Sequence, residues 1–247
     1  MFIYLLEKKK FVIGCFNEVI NFFLNKKDKT EKSFIVLPCS LNDLALDENF
    51  SYKNVDFYTS DSVFLTYFFR FKLRKKIERV YGPDLMLMIL QKETQASSKK
   101  KHYFLAPNNA TTIALAKLLK NHYRNIVTDY GFLPKNSNHS VELHTLQKII
   151  KTKPDIIWLG IGSPKQVELA VYLKKRLKNC TIFCVGAAFD FLTGQKKQAP
   201  FYLRNLGLEW FFRLLTEPKR LWKRYLITIP KYLCETFFQK VIRKDHS

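Results

Sequence analysis

The sequence has little with which to hold a metal or form a disulfide. Its five cysteines, Cys15, Cys39, Cys180, Cys184 and Cys234, are an odd number with no CxxC pair, so neither a zinc site nor a disulfide framework is expected. The five histidines are scattered without HxH or HxxxH spacing, and His102, inside the strand-like HYFLA, reads as a packed or edge-strand histidine. A DxD pair for Mg²⁺ or Mn²⁺ is missing, as are GxGxxG and GxxxxGK[ST] phosphate loops. No bound metal or cofactor is therefore expected. Charged residues interrupt every apolar stretch before about 18 residues, which argues against a membrane-spanning helix. The opening MFIYLLEKKKFVIG places its charges after a short apolar run, the reverse of a secretory signal, so a cytoplasmic location is expected. Internal repeats and low-complexity segments are also lacking.

What the chain has in abundance is positive charge and apolar residues. Its 247 residues are 47% hydrophobic, enough for one large α/β domain or two small ones, and its formal net charge is +21. Such a charge implies an anionic partner: nucleic acid, anionic lipid headgroups or diphosphates. From Lys196 to Ser247 twelve Lys and Arg face four Asp and Glu, interleaved with Trp, Phe, Tyr and Leu at helical spacing. Between Pro218 and Pro230, a regular helix would carry Lys219, Arg220, Lys223 and Arg224 on one arc and Leu221, Trp222, Tyr225, Leu226 and Ile229 on another. A peripheral membrane helix, or a lid over a diphosphate, would use both faces. A further amphipathic piece, YLCETFFQKVIRK, follows.

Ahead of this segment, buried-strand runs alternate with helical patterns at least five times. SFIVLP precedes CSLNDLALDE, with Ser40 or Asn42 as N-cap; VDFYTS precedes Asp61 and VFLTYFFRFKLRKK. GPDLMLMILQKE opens with proline in its first turn. HYFLA, NIVTD, DIIWLGI and CTIFCVG supply further strands. The pattern predicts a Rossmann-like, mainly parallel sheet with helices on both faces and a basic amphipathic C-terminal appendage. The expected division is an N-terminal strand/helix segment, 1–32, packing on the core; an α/β catalytic domain, 33–200; and the appendage, 201–247.

In open sheets of this kind ligands bind beyond the carboxyl ends of the strands, where Ser40, Asn42, Asp61, Gln166 and Asp190 all fall. Asp61 alone could be a helix cap. Gly160 and Gly162 form a strand-to-helix turn of the type that aims backbone N–H groups at an anion, with Ser163 as N-cap and Pro164 at the first helical position. Gly186 allows close backbone approach, and Asp190 and Gln198 place polar groups in an otherwise apolar run.

Three blocks, ERVYGPDLM from Glu78, KPDIIWLGIGSPKQ from Lys153 and the stretch from Val185 to Tyr225, resemble the signature of the bacterial WecG/TagA/CpsF glycosyltransferases. The similarity runs in order from about Ser33 to about Pro230. It implies an inverting transfer of a sugar, N-acetylmannosamine-like or another hexose, from a UDP-sugar to a polyprenyl-diphosphate-linked glycan during cell-surface polysaccharide synthesis. The enzyme would be metal-independent and sit peripherally on the inner face of the cell membrane, bound to its anionic surface. By the same resemblance Asp61 is the catalytic base, Thr59 belongs to its motif, Arg79 borders the substrate pocket and Gln166 contacts ligand. Arg213, Arg220 and Arg224, with Lys223 on the same basic face and the glycine turns, would meet the diphosphate. The chain departs from the family pattern at Ser62, Phe64 and Leu37-Pro38-Cys39. Two alternatives stand beside this reading: a member that binds UDP-sugar or lipid without turnover, and a basic nucleic-acid-binding α/β protein. Under the main reading no nucleic acid is expected as a partner.

Overall fold

The computed structural model describes residues 1–6, 8–25, 31–46, 51–123, 126–134 and 139–235. Strands β1 (Phe2–Leu6) and β2 (Lys9–Ile13) form an antiparallel hairpin, followed by α1 (Phe16–Asn25). The core then alternates: β3 (Phe34–Cys39), α2 (Leu41–Ala45), β4 (Phe57–Ser60), α3 (Val63–Leu73), α4 (Gly82–Gln95), β5 (Lys101–Ala106), α5 (Asn109–His122), β6 (Val127–Phe132), α6 (His139–Thr152), β7 (Ile156–Leu159), α7 (Lys165–Lys174), β8 (Thr181–Cys184) and α8 (Ala188–Leu192). The eight strands form one sheet in the order β1-β2-β4-β3-β8-β7-β5-β6, and every pairing except β1–β2 is parallel. The expected N-terminal segment thus contributes its hairpin to the sheet itself, through β2 beside β4, and α1 to one face.

Apolar residues at successive strand positions divide between the two faces, as the two-residue repeat of a strand requires. Ile35, Leu37, Tyr58, Leu105, Ile157 and Ile182 face α2, α3, α6 and α7. Val36, Phe57, Phe104, Trp158 and Phe183 face α1, α4, α5 and α8. Continuous apolar runs such as FIVLPC and IIWL therefore reflect burial on both sides. His102 lies on an interior strand, fully buried, its Nδ1 accepting a hydrogen bond from Trp158 Nε1 at 3.2 Å. Burial lowers its pKa to about 4, so it is a neutral packing residue at physiological pH.

After the sheet come α9 (Phe201–Asn205), α10 (Glu209–Thr216) and α11 (Pro218–Lys223). The last continues as a π-helical stretch, Arg224–Thr228, and returns to α-helix at 229–235. Most of the amphipathic piece expected after Tyr232 lies outside the described residues. Among the described residues, no helix is long and apolar enough to cross a membrane.

Candidate functional site

The carboxyl ends of β3, β4, β7 and β8 open into a cavity of about 630 Å³ roofed by α10, α11 and the π-helical stretch. Ser40, at the end of β3, is the N-cap residue of α2 and is held by Asp43: the Ser40 backbone N–H and Oγ–H both donate to Asp43 Oδ2, at 2.9 and 2.6 Å. Asn42, one position into α2, is not among the cavity-lining residues.

Asp61 follows β4 directly. Its backbone N–H donates to Cys39 O at 3.2 Å, and its Oδ1 accepts from Gly82 N–H at 3.2 Å, tying the ends of β3 and β4 to the start of α4. Ser62, rather than Asp61, is the N-cap residue of α3, so Asp61 does not cap the helix that follows it; its carboxylate accepts from the first N–H of α4 instead. Burial raises the Asp61 carboxyl to about 6; neighbouring Arg79 opposes the shift, while Glu209 and Asp43 add to it. Thr59 sits two residues earlier within β4, fully buried in the sheet, and its Oγ1 has no hydrogen-bond partner among the described residues.

Arg79 donates through Nε to the Asp61 carbonyl and through a terminal nitrogen to Glu209 Oε2 at 3.0 Å, while its guanidinium lies over the Tyr81 ring. Tyr81 donates its hydroxyl hydrogen to the other Glu209 oxygen at 3.0 Å and accepts from Gln198 Nε2 at 3.2 Å. Glu209, buried on α10, therefore fastens the C-terminal helices to the floor beside Asp61. Glu209 and Tyr81 were not singled out as site residues, although both lie within the blocks that carry the family resemblance. An acidic residue in a segment dominated by arginine and aromatics was the available signal. Gln198 acts behind this network and does not line the cavity.

The two glycine turns meet through Gln166. Its Oε1 accepts from Gly186 N–H at 3.0 Å, and its Nε2 donates to Ser163 Oγ at 3.2 Å and Cys184 O at 3.4 Å. Gln166 lines the cavity, yet its amide holds the turns together. Gly162 and Gly186 have φ of 88° and 62°, with open space where a Cβ would project, so the backbone conformation selects glycine there. The N–H groups of Gly160 and Gly186 are already engaged, with Leu105 O and Gln166. Of the expected anion donors, Gly160 and Gly186 therefore do not offer free N–H groups. α7 also starts one residue later than expected, with Pro164 at the cap position and Ser163 before it.

Anion-binding capacity lies in the roof. Arg213, Arg220 and Arg224 line the cavity, as does Lys196 of the preceding loop. Lys196 pairs with buried Asp190 at 2.8 Å, and Arg220 is held bidentately by Glu217 at 2.6 and 2.8 Å. The buried Nε atoms of Arg213 and Arg224 have no hydrogen-bond partner among the described residues, although Arg224 reaches Ser40 Oγ at 3.0 Å through a terminal nitrogen. Lys223 points outward over the exposed Trp222 ring and is not part of the cavity. The regular two-faced helix expected between Pro218 and Pro230 is not what forms. The π-helical stretch changes the angular step, so Arg224, Tyr225 and Ile229 share the cavity side while Leu226 and Ile227 are exposed.

The arrangement can accept a proton at Asp61 and counter negative charge on the opposite wall. Of the four cavity carboxylates, Asp43 is held by Ser40, Asp190 by Lys196 and Glu209 by Arg79 and Tyr81. Asp61 has no ion pair among the described residues.

A family model for the glycosyl transferase WecG/TagA/CpsF family matches residues 16–246. The N-acetylglucosaminyldiphosphoundecaprenol N-acetyl-beta-D-mannosaminyltransferase of Bacillus subtilis (strain 168) is 30% identical over 182 residues, 68% of this chain and 66% of that relative. The protein of the same name from Staphylococcus aureus (strain NCTC 8325 / PS 47) is 31% identical over 134 residues, 54% of this chain and 51% of its own. The matches thus span between half and two thirds of the length of these curated relatives. The family match extends from α1 through the roof helices that close the cavity, and on that basis the chain belongs to the WecG/TagA/CpsF family of glycosyl transferases.

Proposed function

We propose that this chain transfers N-acetylmannosamine from UDP-N-acetylmannosamine to an N-acetylglucosaminyl-diphosphate-polyprenol acceptor, with inversion and without a required divalent metal. The observation that carries the reading is Asp61: a carboxylate at a strand end, raised to about 6, facing arginines across a cavity. A sugar hydroxyl is a weak nucleophile, and a base with a pKa near working pH takes its proton most effectively during attack. The new glycosidic bond forms as the bond from the anomeric carbon to the UDP oxygen breaks, and the hydroxyl proton passes to Asp61.

Negative charge grows on the departing diphosphate, which the guanidinium groups of Arg213 and Arg224, lining the cavity and without an ion pair among the described residues, would counter. Retention would need a second carboxylate free to attack the anomeric carbon, whereas Asp43, Asp190 and Glu209 are committed to neighbours; this supports a single displacement. The sugar and acceptor are taken from the names of the relatives. The lipid-linked acceptor makes the protein a peripheral enzyme of the membrane surface.

The test is a panel of UDP-sugars with a short-chain lipid-diphosphate acceptor, followed by UDP release and by NMR of the product's anomeric configuration. UDP-N-acetylmannosamine should be consumed, with opposite anomeric configurations in donor and product, and turnover should persist in EDTA. Failure to release UDP with any donor would overturn the transferase reading. Loss of turnover in EDTA, restored by Mg²⁺ or Mn²⁺, would overturn the arginine account of the leaving group.

A further inference from the structure

One face of α3 is not used by the proposed transfer. The helix buries Leu65, Thr66 and Phe69, whereas Phe64, Tyr67 and Phe71 are 51%, 56% and 88% exposed. Their spacing of three and four residues aligns them as a single stripe. The helix sequence, VFLTYFFRFKL, contains no acidic residue, and Arg70, Lys72, Arg74, Lys75 and Lys76 are exposed around its carboxyl end. β1 lies alongside through a Tyr4–Phe69 edge contact at 5.5 Å, and it adds exposed Phe2, whose ring centre is 3.6 Å from Lys75 Nζ.

The stripe also continues across the cavity mouth. Phe64 and Tyr67 line the opening, Gly207 packs on Val63, and Leu206 and Trp210 stand exposed on the facing rim. An apolar row collared by cations has the composition of a helix that lies in a bilayer interface. With a net charge of +21, lipid phosphates complement this face better than a second copy carrying the same collar.

We propose that α3 is a bilayer-contacting surface in its own right, with Phe71 and Tyr67 entering the headgroup region of an anionic membrane and the basic collar meeting lipid phosphates. The protein would then rest on two supports, α3 and the C-terminal helices, with the cavity mouth between them. The purpose of such a surface rests on the lipid-linked acceptor proposed above; its membrane binding does not.

The experiment uses the full chain with vesicles of phosphatidylglycerol and phosphatidylcholine, and with phosphatidylcholine alone. It compares wild type, Phe71→Ser, and a quadruple variant carrying Lys72→Gln, Arg74→Gln, Lys75→Gln and Lys76→Gln. Co-sedimentation of Phe71→Ser should fall about tenfold on anionic vesicles, as expected for losing part of a buried phenyl group. Each basic residue contributes about fivefold near an anionic surface, so the quadruple variant should lose well over tenfold there and little on neutral vesicles. Turnover of a water-soluble short-chain acceptor should be unchanged in both variants, while turnover of a vesicle-embedded acceptor falls. Unchanged partitioning in both variants overturns the proposal. So does a wild-type dimer that Phe71→Ser converts to monomer with no change in partitioning, since the stripe would then be a self-association face. If wild type releases no UDP, the transferase reading fails and the vesicle measurement still decides the role of α3.

Discussion

Asp61 and Glu209 divide the work of the cavity floor. Removing the Asp61 carboxylate by Asp61→Asn keeps an acceptor for Gly82 N–H and should lower kcat by about 10²- to 10⁴-fold, the usual cost of a lost general base. Because its pKa is raised to about 6, wild-type kcat/KM should fall as pH drops through about 6. Stability runs the other way. The folded state holds this proton more tightly than the unfolded state, whose carboxyl titrates near 3.8, so between those values stability declines as pH rises. Asp61→Asn should therefore melt above wild type at pH 7.5, by no more than about 3 kcal/mol, and the gap should close near pH 4. Equal melting temperatures across that range would contradict the burial of the charge. Glu209→Gln keeps an acceptor for Tyr81 but removes a negative charge beside Asp61 and leaves the Arg79 charge less opposed. The acid limb of its pH profile should shift below that of wild type. A loss of activity with an unmoved limb would mean that Glu209 only holds the helices in place.

Among the elements, the run from α10 through the π-helical stretch decides which arginines line the cavity. Arg213 and Arg224 line the cavity without an ion pair among the described residues, whereas Arg220 is already neutralised by Glu217. A combined Arg213→Ala and Arg224→Ala variant should lose about 10²-fold or more in kcat/KM for the UDP-sugar, the scale of removing donors from a developing oxyanion. Arg220→Ala should lose clearly less. Steady-state kinetics with UDP as a competitive inhibitor would rank them, and equal losses would show that Glu217 releases Arg220 when substrate binds.

For the whole molecule, the sheet and the roof differ in what they contribute. Among the described residues, no buried member of either core cluster lies beyond Phe189. Truncation before Gly207 should therefore leave a cooperatively folding α/β unit, seen by circular dichroism and thermal melting. It should also abolish UDP release, because Glu209 leaves Arg79 and the cavity loses Arg213 and Arg224. Retained turnover in the truncated chain would show that the roof does not complete the site.

The sequence by itself determined the class of fold and the elements that bear the site. Apolar runs such as IIWL, glycine turns and the position of Asp61 at a strand end are local signals, set by periodicity and backbone conformation within a few residues, whereas the place of Arg79 beside the pocket was implied by the family resemblance. Tertiary structure alone decided the strand order, which places β8 and β7 between β3 and β5. It decided that Thr59 turns into the sheet, that Asn42 and Lys223 lie off the cavity, and that Gln166 spends its amide on the turns. It also brought Glu209 to Arg79 across 130 residues. These outcomes depend on which buried polar groups find partners when helices dock on the sheet, and separation along the chain carries no record of that. The π-helical stretch shows the same limit: a wheel drawn at a constant angle separates Arg224 from Tyr225, and packing of the roof puts both on the cavity side.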